Sequence, residues 1–208
     1  MTLEAWLAFT AATAVLLVIP GPTVPLVVSY ALGQGWRSAM PTAIGVALGD
    51  FTALTVSMLG LGAVLATSAE VYTALKWLGA GYLIWLGIKL WRAGGSLAAE
   101  PRTGKAGALA MLFHAWIVTA LNPKAITFFV AFVPQFLDPS ADFWHQTIVV
   151  EATFVSLAFA NAFGYALVAA RARGFVGSPR ALAWINRVGG SLLVLAGLTA
   201  LRWGNAKS

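Results

Sequence analysis

The chain has 208 residues, 60% of them hydrophobic and only 10% charged, with a net charge of +6 and no cysteine. A soluble domain carries roughly 25% charged residues, so this composition excludes an ordinary one and points to a polytopic membrane protein. Without cysteine there are no disulfides, thiolate metal sites or thiol redox chemistry, and two histidines do not make a metal cage, so no metal or other cofactor is expected.

About 20 apolar residues cross a bilayer. Six segments reach that length: 5–31, 40–66, 71–92, 110–136, 145–170 and 182–203. Backbone groups in hydrocarbon must be satisfied internally, so all six are predicted helices. Glu4 and the lack of a basic leader imply that the first segment stays as a span and is not cleaved. That segment interrupts itself with "IPGP" (19–22), although a proline inside a helix costs about 3 kcal/mol. Segment two carries "GVALGD" (45–50), in which Gly45 and Gly49 are spaced for close helix packing and Asp50 sits near the centre. Segment three, "KWLGAGYLIWLGIKLWR" (76–92), is followed by the one long connection, 93–109. Segment four is interrupted at its middle by "LNPK" (121–124). Segment five carries Glu151 about two turns from its start and Asn161 near its centre, and segment six opens with "NRVGGSLLVLAGL".

Basic residues set the orientation. If the connections after segments one, three and five are cytoplasmic, they and their helix ends hold nine: Arg37, Lys89, Arg92, Arg102, Lys105, Arg171, Arg173, Arg180 and Arg187. The opposite side holds three, Lys76, Arg202 and Lys207, so the positive-inside rule places both termini outside, while the C-terminal pair Arg202 and Lys207 keeps a five-span variant open. This placement of charge argues for a membrane surface and against nucleic acid as the partner. Trp6, Trp36, Trp77, Trp91, Trp144, Trp184 and Trp203 fall at or near helix ends, as interfacial anchors do.

Segments three and six align without gaps at an offset of 110, with Gly79 on Gly189, Gly87 on Gly197 and Arg92 on Arg202. Segments two and five align more weakly at 111, which sets Asp50 on Asn161. Segments one and four share a central proline. The expected fold is thus an all-α membrane protein, a single domain over 1–208 with six spans. It is read as two three-helix repeats, about 1–92 and 110–203, joined by the linker 93–109. An odd number of spans per repeat inverts one copy, and such transporters bind substrate at mid-membrane where paired helices are interrupted. Pro20, Gly21 and Pro22 would lie there with Asn122, Pro123 and Lys124. Asp50 and Lys124 each cost about 2.5–3.5 kcal/mol unpartnered in the bilayer, so they are expected to face inward and meet. Asn122, Asn161 and Gln135 are uncharged donors and acceptors toward the bundle centre, for which interhelical hydrogen bonds are the cheaper reading.

In these motifs, over nearly its whole length, the chain resembles the lysine-exporter and homoserine/threonine-resistance (LysE/RhtB) family of bacterial amino-acid exporters. The resemblance rests on "PGP", "GVALGD", "LKWLGAGYLIWLGIKLWR", "NPKAITFFVAFVPQF" and "NRVGGSLLVLAGL". It implies a multi-pass protein of the bacterial inner membrane that exports amino acids or close relatives, driven by protons or sodium. Position by position, it implies functional roles for Pro20, Gly21, Pro22, Gly49, Asp50, Asn122, Pro123 and Lys124. One acid and one base at the centre suit a net-neutral zwitterion, with Asp50 on its ammonium and Lys124 on its carboxylate. A membrane enzyme lacks the residue sets it would need. The remaining alternative is a channel or metal-resistance carrier, which would want clustered carboxylates, histidine or cysteine. A homodimer is compatible with the abundant small-residue faces.

Overall fold

The computed structural model describes residues 1–67, 106–138 and 140–171, with isolated positions between 74 and 92 and between 180 and 198. Most of the predicted segments 71–92 and 182–203 and of the linker 93–109, and therefore the six-span count, lie outside the described residues.

The described secondary structure is entirely helical. Helix α1 (Leu3–Val18) opens on Thr2, whose hydroxyl accepts the Ala5 amide, and Glu4 sits favourably in the first turn. Pro20 stops it. The chain resumes as α2 (Thr23–Gln34), which ends at Gly35 with φ 72°, a left-handed conformation that glycine tolerates. A 3-10 turn (Gly35–Ser38) leads into α3 (Ala39–Thr67), 29 residues and about 43 Å long. After the gap come α4 (Ala108–Ala120) and α5 (Pro123–Ala131), a 3-10 turn at Val133–Gln135, and α6 (Phe143–Arg171).

Two stretches, Thr23–Ala63 and Phe143–Arg171, are long and apolar enough to cross a membrane. The α4–α5 pair, bent by 47°, makes a third if counted as one span. Outward faces agree: Met40, Ile44, Leu48 and Phe51 on α3, and Leu109, Phe113 and Ile117 on α4 with Leu121 at its cap, are exposed large apolar side chains at helical spacing. Water would penalise such stripes, whereas hydrocarbon does not.

Inside, α3 packs along both α4 and α6. Gly45 and Gly49 bring α3 against α4 backbone to backbone; a Cβ on Gly49 would lie 2.6 Å from Thr119 Cβ and 2.7 Å from the Trp116 carbonyl oxygen. Trp116 also donates its ring N–H to the Thr52 hydroxyl. These contacts advance together along both helices, so α3 and α4 run parallel. Helices α1 and α6 run parallel too: Trp6 donates to Thr153 near their starts, and Asn161 reaches the carbonyl of Leu17 near the end of α1. By contrast α3 and α6 are antiparallel, with Thr55 donating to the Glu151 carboxylate and Gly62 lying against Phe143. That bond holds Glu151 between two helices rather than leaving it to snorkel.

Candidate functional site

An α-helix satisfies the carbonyl of residue i with the amide of residue i+4. In α1 the carbonyls of Leu16 and Val18 would need amides at positions 20 and 22, where proline has none. Side chains from the second half of the chain replace them. The Lys124 ammonium donates to Leu16 O at 3.0 Å and to Ile19 O at 2.8 Å. Asn161 Nδ2 donates to Leu17 O at 3.0 Å, and the Tyr165 hydroxyl to Val18 O at 2.7 Å. All four terminal carbonyls of α1 are therefore met by α5 and α6. Gly21 makes the reach possible, because a Cβ there would stand 3.0 Å from Lys124 Cε.

The second break closes differently. Asn122 caps α5 by accepting the Lys124 amide at 3.0 Å, with Pro123 following it at the first helical position. The Asn122 amide itself donates to Thr119 O, which Pro123 deprives of its usual partner. Asn122 Nδ2 lies 3.4 Å from the Thr23 hydroxyl, which in turn lies 3.2 Å from that of Thr119. The starts of α2 and α5 are thus tied together where the two interrupted helices meet.

A cavity opens beside this junction, walled by Leu16, Gly21, Thr23, Asp50, Lys124 and Phe154 among others. About 40 Å³ is available to water centres, room for roughly three waters and not for an amino acid. Asp50 is 3% exposed, borders the cavity and accepts no hydrogen bond from any described residue. It interacts electrostatically with Lys124 but forms no ion pair with it, because the ammonium is engaged with α1. An ammonium has three donors, so Lys124 keeps one. On one side the cavity wall is Phe154, which stacks into a cluster with Phe128 and Phe129; Phe132, Phe136 and Phe9 extend it.

Gly21, Asp50, Asn122, Lys124 and Asn161 therefore share one cavity wall. Pro20, Pro22 and Pro123 shape the breaks beside it, and Gly49 is taken up by packing against α4. Two expectations need correction. Asp50 and Lys124 are near one another without meeting, since the carbonyls freed by proline compete for the ammonium. Gln135 lies in the 3-10 turn after α5 and donates to its own Ala131 carbonyl at 3.3 Å, away from the cavity. Thr23 and Tyr165 were not singled out in the sequence, although Phe154, Ala158, Asn161 and Tyr165 recur at three- and four-residue spacing along one face of α6. Among the described residues no group of three or more histidines and acidic side chains stands close enough to hold a metal ion.

The family model of the LysE-type translocators matches residues 14–204. An uncharacterized membrane protein of Vibrio cholerae is 34% identical over 95% of this chain and 97% of its own. A homoserine/homoserine lactone efflux protein of Salmonella typhimurium is 30% identical over 95% and 96%. A leucine efflux protein of an Enterobacter species is 32% identical over 68% of each chain. No solved structure matches.

Proposed function

Since the chain belongs to the LysE-type translocator family, we propose that it exports neutral amino acids or close analogues from the cytoplasm in exchange for protons. Family membership makes it a multi-pass membrane transporter and not an enzyme. The names of its relatives support the amino-acid class. One observation carries the mechanism: a buried carboxylate, Asp50, that has no hydrogen-bond partner among the described residues and lies beside the junction of two broken helices.

Asp50 receives the substrate ammonium. Lys124 and Thr23 line the same cavity, and the third N–H of the ammonium and the threonine hydroxyl would serve the carboxylate. A proton on Asp50 removes the charge that holds the ammonium, so proton entry and substrate release become alternatives at one atom. The cavity has to widen before an amino acid fits, and rocking of one half against the other would do this. We read the whole chain as two inverted repeats with both termini periplasmic. The parallel pairs α1–α6 and α3–α4 support that reading, because an exchange of the two halves maps one pair onto the other.

The test is counterflow in vesicles carrying the full chain, loaded with leucine or homoserine, with and without a pH gradient. Asp50→Asn should assemble normally and lose most gradient-driven efflux. Unchanged efflux with unchanged pH dependence in that variant would remove Asp50 from the mechanism.

A further inference from the structure

We propose that the broken end of α1 is an alkali-cation site filled permanently by the chain's own ammonium, Lys124, so that the protein needs neither sodium nor potassium. The inference rests on the transporter reading but concerns the two Lys124 N–H groups that bond to α1, not the third, which that reading gives to the substrate.

The C-terminal end of a helix carries a partial negative charge and unmet carbonyls. In broken-helix transporters such ends and the unwound backbone beside them coordinate sodium. Here the same construction is present at Leu16–Ile19, but the positive charge arrives on a side chain, with N···O distances of 2.8 and 3.0 Å. Two further features separate this from an incidental contact. Lys124 is the second residue of α5, where its charge opposes the dipole of its own helix; the placement is favourable only because it serves the end of α1. Gly21 clears the path, its missing Cβ leaving room for the lysine methylenes beside the backbone. Asn161 and Tyr165 take the two carbonyls the ammonium does not, so the set is complete without an added ion.

A tethered cation has a consequence that a free one lacks: its occupancy does not depend on the salt outside. Thermal unfolding of the purified full chain in nanodiscs, in sodium chloride against choline chloride, reads this directly. Wild type should unfold at the same temperature in both. Lys124→Ala should fall by about 10 °C in choline. It should then recover much of that loss in sodium chloride or methylammonium chloride, but not in tetramethylammonium chloride, which has no N–H to donate. Equal sodium stabilisation of wild type and variant would overturn the proposal, and so would a variant unmoved by every cation. Exchange by the wild type in sodium- and potassium-free medium provides a second measurement that needs no variant. Unaltered exchange is the expected result, and dependence on either ion would overturn the assignment. Because the unfolding experiment contains no substrate, it can fail while amino-acid export stands, and it can succeed while the export reading falls.

Discussion

Pro22 takes away the amide that Val18 O would use, and Tyr165 supplies the missing donor from another helix. Removing that hydroxyl in Tyr165→Phe leaves the ring in place and the carbonyl without its partner. A stability loss of about 1 kcal/mol is expected, read as a lower unfolding midpoint with an unchanged secondary-structure signal. Some of these residues were legible in the sequence because charge in a span is conspicuous: Asp50 and Lys124 stand out in any reading. Their mutual arrangement was not, since pairing acid with base ignores the backbone carbonyls that compete for an ammonium. Tyr165 gave no signal of its own, because a tyrosine near the end of a predicted span reads as an interfacial ring. Gln135 misled for the converse reason. Its position suggested the bundle centre, but a 3-10 turn there rotates it back onto its own helix.

The two interruptions were readable at the scale of elements, because proline has a definite backbone cost wherever it falls. Their inequality was not readable. The α4–α5 break spans two residues and closes with its own amides, while the α1–α2 break spans four and is finished by borrowed donors. Nor did the apolar run over 110–136 reveal that α5 gives way to a 3-10 turn around Pro134. Glycine tests the packing of these elements. Gly49→Ala drives a methyl into Thr119 and the Trp116 carbonyl, which cannot move without displacing α4, so a loss of about 1–3 kcal/mol is expected. Gly60, on the same helix, has nothing within 4 Å, and Gly60→Ala should unfold within about 1 kcal/mol of wild type, on the stable side if anything. Parallel denaturation of the two variants separates helix contact from helix propensity.

At the scale of the whole molecule, the proposed inverted-repeat topology would put the turn at Gly35–Ser38 and the connection around Ser140 on opposite faces of the membrane. The chain has no cysteine, which makes this easy to measure. With both positions exposed, Ser140→Cys should react with an impermeant maleimide in intact cells, and Trp36→Cys only after the membrane is opened. The reverse pattern would turn the protein over and with it the direction of export. The completion of α1 by Lys124, Asn161 and Tyr165 reaches further, into the history of the chain. At the offset of 111 between segments two and five, Asn161 corresponds to Asp50 and Tyr165 to Leu54. Neither has a donor to lend if the aspartate is ionised. If the halves descend from one ancestral gene, they have since become lock and key, and two copies of the front half could not rebuild the protein.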